Sequence, residues 1–228
     1  MAIASTRERI VRSAAALLAE GGLEAVSTRS VSAAAGVQSP AIYRHFGDMR
    51  ALLDAVAERG FEDYLLTKGA LAPSGDPVED LRRGWDLHVE FGVSHPALYS
   101  LAYGQGRPGV ETPAAKKASA ILATRINAIA LVGRLQMSEG AAAHLVHAAG
   151  CGVTFTVISM PPDQRDPDLS ARAREAAIAA ITTDGGAGDI GDGRRGTVVA
   201  MRAMAPALAE LSDAERALLV EWMDRALR

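Results

Sequence analysis

The chain has 228 residues, which is long enough to bury a substantial core and to hold one or two domains. Its formal net charge is −3, so no global basic field attracts nucleic acid. The single cysteine, Cys151, excludes an intrachain disulfide and is typical of a reducing, cytoplasmic protein.

Helical periodicity dominates the sequence. Alanine is abundant, alternating β-branched residues are almost absent, and apolar residues recur with the helical period nearly everywhere. We therefore expect an all-α protein. The charge is unevenly distributed, because the first fifty residues hold six arginines against four carboxylates and the remainder is net negative. This asymmetry favours a nucleic-acid-binding end on a neutral body, although charge alone does not establish it.

The first helix is predicted to begin after Ser5, since Ser5 and Glu8 have the spacing of a capping box. A pair of glycines ends it. A second helix is expected at 28–35 and ends at Gly36, because the left-handed residue that follows a helix is most favourably a glycine.

The third helix is predicted with Ser39 as its N-cap and Pro40 at its first position, and it ends at Phe46. A three-residue turn separates it from the second helix, which gives helix-turn-helix proportions. In that motif the second of the two helices enters the major groove of DNA. The predicted exposed side carries groups that bond phosphates or touch bases without bulk: Gln38, Ser39, Ala41, Tyr43, Arg44 and His45. The alternative is that Tyr43 and His45 only cover a hydrophobic cluster.

Further helices fill the rest of the chain. A fourth is predicted from about Arg50 to Lys68, and the last begins with a capping box of Ser212 and Glu215. Linkers or loops are predicted at 72–77, 104–111 and 184–193.

The stretch 141–162 is the only one near membrane-spanning length, but it contains two histidines and two glycines and lacks basic flanks. A buried helix explains it better than a span, so no membrane partner is expected. No P-loop, G-x-S-x-G elbow or H-E-x-x-H motif occurs, and nothing in the sequence therefore indicates an enzyme.

Residues 5–53 resemble the DNA-binding domain of the TetR/AcrR family of bacterial transcription regulators. The string GV-x-x-x-x-IY-x-HF, which begins at Gly36, carries most of the resemblance, and PAIYRHFGDMRALLDAV is similar to the tetracycline repressors of that family. The resemblance implies a three-helix helix-turn-helix DNA-binding domain at 1–50 and a C-terminal helical bundle at 51–228 for ligand binding and dimerisation. Further matching positions are Ile10, Ala14, Leu17, Gly21, Thr28 and Leu52.

Roles in DNA binding follow from the resemblance residue by residue. Thr28 is implied to bond a phosphate at the start of the second helix, and Arg29 to reach a base edge. Tyr43 and His45 are implied to hold phosphates, which position the protein without reading sequence. The positions implied to read bases are Gln38, Ser39, Pro40 and Ala41.

One departure concerns Met49, where family members usually have lysine. A contact between the start of the fourth helix and the DNA backbone is then in doubt, and Arg50 is expected to take the place of that lysine. The alternative function is a ligand-binding or sensor protein of the same fold with weakened DNA binding.

The family also binds a small-molecule effector among its middle helices, and effector and DNA then oppose each other through reciprocal coupling. Apolar walls with a few polar groups suit an aromatic or amphipathic organic ligand. For each residue taken singly, ordinary core packing is the more usual explanation. The candidate lining residues are Trp85, His88, Phe91, Tyr99, Tyr103, Ile126 and Phe155.

A homodimer is implied too, with two late helices of each subunit in a four-helix bundle. Its two-fold symmetry would hold the recognition helices about 34–36 Å apart on a palindromic operator in double-stranded DNA. The helix predicted from Ser138 to Met160 and the last helix are the candidates, and intrachain core is the alternative for both. The candidate interface residues are Ala141, Leu145, Ala148, Gly152, Leu218, Leu219 and Trp222.

His144, His147 and Cys151 share one face of that same helix, so a metal or thiol-redox sensor is conceivable. Such residues at a dimer face are more often packing, and no fourth ligand is evident. No metal or cofactor is therefore expected. The sequence predicts a repressor that a small organic molecule releases from its operator.

Overall fold

The computed structural model describes residues 5–104, 111–183 and 190–227. Across these ranges the chain is helical, apart from one isolated bridge between Leu135 and Thr182, so the all-α prediction is confirmed. The described residues form α1 (Thr6–Gly21), α2 (Thr28–Ala35), α3 (Ser39–Phe46), α4 (Met49–Ala70), α5 (Pro77–Ser94), α6 (Pro96–Tyr103), α7 (Pro113–Leu131), α8 (Glu139–Ser159), α9 (Leu169–Ile181), α10 (Ile190–Met204) and α11 (Asp213–Ala226).

The chain divides into two compact units. The N-terminal unit comprises residues 1–70 and 90–118, and the C-terminal unit comprises residues 71–89 and 119–228. The N-terminal unit thus contains all of α4 and α6 in addition to the first three helices. The predicted division of function at residue 50 stays a prediction, because compactness does not tell which part binds DNA.

The capping signals in the sequence set the first helix. Ser5 Oγ accepts a hydrogen bond from the Glu8 N–H at 3.2 Å, and the Glu8 carboxylate accepts one from the Ser5 N–H at 2.8 Å. The predicted capping box is confirmed, and Ser212 and Glu215 form the same arrangement before α11. Apolar residues of α1–α4 and α6 form one core that holds the helix-turn-helix: Ile10, Val11, Ala14, Leu18, Val31, Ala35, Ile42, Leu52, Val56, Ala57 and Leu101.

The start of α3 differs from the prediction. Gln38, not Ser39, is the N-cap, since Gln38 has extended backbone angles (φ −79°, ψ 145°) and Ser39 already belongs to the helix. The Ser39 hydroxyl lies 3.3 Å from the Ser32 hydroxyl of α2, so it links the two helices instead of capping one. Pro40 then occupies the second helical position, where its missing N–H leaves no bond unmade.

The loop predicted at 184–193 is wrong from Ile190 onward, where α10 begins. Glycine and aspartate there favour a loop locally, but α10 is held by packing further along. A Cβ on Gly196 would lie 2.4 Å from the Gly133 carbonyl oxygen, and Val199 is fully buried. The rest of that loop, and residues 105–110 of the loop predicted at 104–111, lie outside the described residues.

Two arginine clusters hold the C-terminal unit together. Arg82 Nε of α5 donates to both carboxylate oxygens of Glu175 in α9 at 3.1 Å, and Arg174 Nη1 lies 2.5 Å from Asp86 Oδ1. The hydrogen bonds from Arg82 outweigh partial burial and lower the pKa of Glu175, and the same bonds raise the pKa of Arg82.

The second cluster is centred on Arg202 of α10. Its Nε lies 2.5 Å from Asp224 of α11, and its Nη1 lies 3.2 Å from Glu139 at the start of α8. The Glu139 carboxylate also accepts a hydrogen bond from Asn127 of α7 at 2.8 Å. Four helices are therefore tied at one point.

Candidate nucleic-acid interface

The helix-turn-helix is shaped by a glycine turn and one buried anchor. Gly36 ends α2 in the left-handed region (φ 62°, ψ 43°), as predicted, and Val37 N donates to Ser32 O at 3.0 Å. A side chain at Gly36 would be strained by this φ. Ile42 is the only fully buried side chain of α3, so the helix rests on the core along one edge and presents the remainder outward.

The outward face of α3 is polar and aromatic. Tyr43 is 48% exposed, and Arg44 and His45 are exposed beside it. Gln38 and Pro40 are exposed at its N-terminal end. Ser39 and Ala41 are partly buried. The predicted set thus forms one continuous surface that runs along the helix.

The start of α2 adjoins this surface. Ser27 Oγ accepts from Ser30 N–H at 3.1 Å and caps the helix. Thr28 and Arg29 follow as its first residues, whose N–H groups have no acceptor inside the helix and favour an anion. Thr28 Oγ1 lies 3.2 Å from the Tyr43 hydroxyl of α3. Two residues implied to bind phosphate are therefore side by side, close enough for one phosphate group to contact both.

The beginning of α4 is less suited to binding DNA. Asp48 Oδ1 accepts the Ala51 N–H at 2.7 Å and caps the helix, and Met49 packs against the core. Arg50 Nε lies 3.5 Å from Asp54 Oδ1 on the same helix. A phosphate contact from Arg50 would compete with this carboxylate, and the contact remains a prediction.

Free cations surround the helix-turn-helix. Among the described residues, Arg9, Arg12, Arg29 and Arg44 are exposed and make no ion pair. The guanidinium of Arg7 lies 5.0 Å from the centre of the Phe46 ring, a cation–π contact that leaves its charge in place. These charges remain available to an anionic partner.

Comparison with known proteins agrees with this geometry. Residues 10–56 match bacterial regulatory proteins of the tetR family. The tetracycline repressor protein class C of Escherichia coli is 50% identical over 52 residues, which are 23% of this chain and 24% of that repressor. The N-terminal part of the chain is therefore similar to the DNA-binding region of the tetR family. The match to this repressor spans only about a quarter of the repressor's length, and it lies in the region that carries the helix-turn-helix.

Solved structures extend the similarity to most of the fold. A tetR family transcription regulator from Shewanella sp. PV-4 superposes with a TM-score of 0.62 at 17% identity, over 79% of this chain and all of that one. TetR from Acinetobacter baumannii AYE, solved in complex with minocycline, gives 0.57 at 20% identity, over 75% of this chain and 93% of that one. At these identities the likeness concerns the fold alone.

The predicted effector residues are divided between the two units. In the C-terminal unit Trp85 is 4% exposed, and its indole N–H donates to Ser170 Oγ at 3.1 Å. A Cβ on Gly150 would contact both Trp85 and His88, so these two side chains pack against α8. Ile126 is fully buried and Phe155 partly so. These contacts are those of a packed core.

The other predicted residues, Phe91, Tyr99 and Tyr103, belong to the N-terminal unit. Tyr103 lies 4.8 Å from Tyr99 and 5.9 Å from Phe61 between ring centres. Phe61 also lies 4.6 Å from Phe91, on which Tyr64 stacks at 4.4 Å. We call Phe61, Tyr64, Phe91, Tyr99 and Tyr103 the aromatic cluster.

The predicted effector residues omit three members of this region, Phe61, Tyr64 and Lys68. Lys68 is 6% exposed, and its ammonium donates to the Tyr64 hydroxyl at 2.8 Å. The spacing of Phe61, Tyr64 and Lys68 at i, i+3 and i+7 puts them on one helical face, and this signal was present in the sequence.

The predicted dimer residues lie on uncovered faces. Leu145 of α8 is 39% exposed, and Ala141, Ala148 and Gly152 at helical spacing beside it are exposed too. On α11, Leu218 and Trp222 are 42% and 53% exposed, and Leu219 is partly buried. Among the described helices only α8 has the length and hydropathy of a candidate membrane span, and 28% of that window is buried.

For the alternative of a metal site, at most two candidate ligands are neighbours. Cys151 Sγ lies 3.6 Å from His147 Nε2, and His144 is exposed. Within the described part of the chain no three histidine, cysteine or acidic side chains are grouped so that they could hold a metal ion.

Proposed function

We propose that this chain is a TetR-family DNA-binding transcriptional repressor that a small organic molecule releases from a palindromic operator. The observation that carries the proposal is the continuous polar surface of α3 and the start of α2, where Thr28 and Tyr43 meet at 3.2 Å. The arginines beside it make no ion pair with any described residue. The match to the tetracycline repressor spans 24% of that protein, so the repressor's activity is a hypothesis for this chain.

In this proposal α3 lies in the major groove. Its outward face has no residue larger than Tyr43 and Arg44, and Ile42 holds the opposite edge in the core. Thr28, Tyr43 and His45 bind phosphates and fix the register, while Arg29 and the start of α3 contact base edges. Arg44 adds a charge that has no competing carboxylate among the described residues.

A homodimer would supply the two-fold symmetry that a palindrome requires. The exposed stripe of Ala141, Leu145, Ala148 and Gly152 is small and apolar, and a Cβ on Gly152 meets nothing within 4 Å. An uncovered apolar helix face of this kind is typical of an interface. Small residues there would let the two copies of α8 approach closely.

The effector is proposed to bind among aromatic residues of the middle helices. The structural neighbour solved with minocycline has the same fold, which makes a small-molecule effector a reasonable expectation here. Effector and DNA would oppose each other because each favours a different arrangement of the protein, with a coupling of about 1–3 kcal/mol.

Fluorescence anisotropy tests the DNA-binding part directly. Duplex DNA from upstream of the chain's own gene, or selected from a random pool, is compared with scrambled duplex. The variants are Tyr43→Phe and Arg44→Ala, with Arg59→Ala as control, since Arg59 is an exposed arginine that pairs with Glu62. We expect specific binding that both interface variants weaken and the control does not. If selected and scrambled duplex bind equally weakly, the repressor proposal is wrong.

One observation favours a second candidate, a ligand-binding protein of the same fold with weakened DNA binding. Met49 packs against the core and Arg50 pairs with Asp54, so the start of α4 has few groups that could bind a phosphate. In that case selection from a random DNA pool would yield no enriched sequence, while a small molecule would still stabilise the protein.

A further inference from the structure

An arginine at the start of α1 lies against the end of α3. The guanidinium carbon of Arg7 is 5.0 Å from the centre of the Phe46 ring. That ring packs against the core of the helix-turn-helix, and its centre lies 6.4 Å from the centre of the His45 imidazole. A cation held over an anchored ring has fewer positions available than one at the end of an unrestrained side chain. Less conformational entropy is therefore lost when this cation binds a partner.

Arg7 has no carboxylate partner in the part of the chain that the structure describes. Its guanidinium is exposed and makes no ion pair or hydrogen bond there. The neighbouring Glu8 carboxylate accepts the Ser5 N–H and caps α1. Ile10 and Val11, which lie three and four positions further along α1, are buried apolar residues, so no carboxylate flanks Arg7 on that side of the helix. The charge of Arg7 is thus available to an anion.

The start of α4, which follows Phe46 closely in the chain, carries an arginine of the opposite kind. Arg50 Nε lies 3.5 Å from Asp54 Oδ1, and the Arg50 side chain is 28% exposed. Asp48 adds a second carboxylate, which caps α4. Of the two arginines, Arg7 is therefore the one that can bind a phosphate without giving up a carboxylate first.

We propose that Arg7 binds a phosphate of the DNA backbone next to the phosphate held by His45, so that the DNA-binding surface includes the start of α1. A guanidinium group has five N–H donors in a planar fork that matches the oxygens of a phosphate, and it stays charged at every working pH. The inference rests on the proposed function, because it adds a residue to the DNA-binding surface.

A purely structural role for Arg7, as a cover for Phe46, predicts a different result. A phosphate contact carries no sequence information, so its loss weakens binding to every duplex by the same factor and lowers the salt dependence. Loosening the end of α3 would instead disturb base reading. It would reduce the preference for selected over scrambled duplex and leave the salt dependence unchanged.

Fluorescence anisotropy on the full chain separates the two roles. Arg7→Gln and Arg7→Lys are titrated with selected and with scrambled duplex at roughly 50 to roughly 200 mM salt. We expect Arg7→Gln to bind both duplexes about three- to tenfold more weakly and to lose about 1 from the slope of log K against log salt. Arg7→Lys should keep the wild-type slope, because it keeps the charge.

Arg12→Gln is the matched control. Arg12 is also an exposed arginine of α1 without an ion pair among the described residues, but it lines a groove with Ala34 and Ala35 of α2 and does not lie over Phe46. Its loss removes the same charge from the same helix and should change the slope much less. Thermal unfolding verifies that each variant is folded.

The inference fails if Arg7→Gln keeps the wild-type slope. It also fails if Arg12→Gln lowers the slope equally, since the general field of the helix would then explain both results. The slope is obtained with scrambled duplex as well, so it tests Arg7 even if the wild-type protein shows no sequence preference. A failure of the repressor proposal is thereby distinguished from a failure of the Arg7 contact.

Discussion

The arginines around the helix-turn-helix and those of the C-terminal unit differ in their partners. Around the helix-turn-helix, the exposed guanidinium groups make no ion pair among the described residues: Arg9, Arg12, Arg29 and Arg44. In the C-terminal unit, guanidinium groups are paired with the chain's own carboxylates: Arg82, Arg83, Arg134, Arg172, Arg174, Arg202, Arg216 and Arg225. Arg82, Arg174 and Arg202 join helices of the C-terminal unit, whereas the arginines around the helix-turn-helix face solvent.

The difference explains why a net charge of −3 is compatible with DNA binding. A paired arginine is neutralised locally and adds little attraction for phosphate. An unpaired one releases counterions when it meets a phosphate, and this release supplies much of the affinity for DNA. The candidate DNA surface therefore differs from the rest of the molecule in whether its arginines are paired with carboxylates, and the net charge of the chain does not show this difference.

The largest effect is expected for Arg29→Ala. If Arg29 reads a base, the variant should lose about 1–3 kcal/mol of specific affinity and tolerate substitution at that base pair. Its thermal stability should be unchanged, because Arg29 is exposed and has no ion pair among the described residues. Anisotropy with a selected duplex and its single-base variants measures both effects. Unchanged affinity and preference would remove α2 from base reading.

Arg44→Gln tests the comparison through the salt dependence of DNA binding. A phosphate contact contributes about one unit to the slope of log K against log salt, so the variant should lose about 1 from that slope. Titrations at roughly 50 to roughly 200 mM salt cover the informative range. Arg59→Gln, which removes a paired arginine, is expected to leave the slope unchanged. Equal slopes for wild type and Arg44→Gln would mean that Arg44 does not contact DNA.

Features set by local sequence were predictable, and features set across the chain were not. Ser5, Gly36 and Ser212 marked helix ends correctly because a cap depends on residues within four positions. Ser39 was misassigned because its hydroxyl bonds Ser32 in another helix. The pairing of Arg82 with Glu175, 93 residues away, has no local signal.

The candidate site follows the same rule. The outward face of α3 was predictable from the helical period once Ile42 was placed in the core. The burial of Lys68 depends on α4 packing against other helices, and a lysine in a sequence gives no sign of it. The predicted effector residues are mainly apolar and aromatic side chains, and their position in the chain does not reveal that they belong to two units.

Arg202→Met tests the paired arginines of the C-terminal unit. The variant leaves Asp224 and Glu139 without their shared cation and should cost about 1 kcal/mol of unfolding free energy, since the Arg202 side chain is only 28% exposed. Urea denaturation measures this cost. Arg225→Met is the control, because Arg225 is 64% exposed and, among the described residues, its ion pair is with Glu221. Equal stability of the two variants would mean that the Arg202 cluster contributes no more than a surface pair.

The smallest expected effect, in Glu175→Gln, depends on pH. Hydrogen bonds from Arg82, opposed by partial burial and reinforced by Arg174, lower the pKa of Glu175. A carboxyl group with a lowered pKa stabilises the folded state at pH values above its unfolded pKa of about 4.3, and this contribution is lost as the pH falls through the folded pKa. Because the side chain is 46% exposed, solvent screening limits the contribution to roughly 0.5 kcal/mol.

Wild type should therefore be more stable than Glu175→Gln at neutral pH, and the difference should shrink below about pH 4. Urea midpoints at several pH values measure it. Glu210→Gln is the control, since Glu210 is exposed and makes no ion pair among the described residues. A pH-independent difference for Glu175→Gln would mean that the carboxylate's charge is not what Arg82 and Arg174 recognise. The paired arginines of the C-terminal unit would then act through packing rather than charge, and the contrast with the N-terminal unit would be one of burial alone.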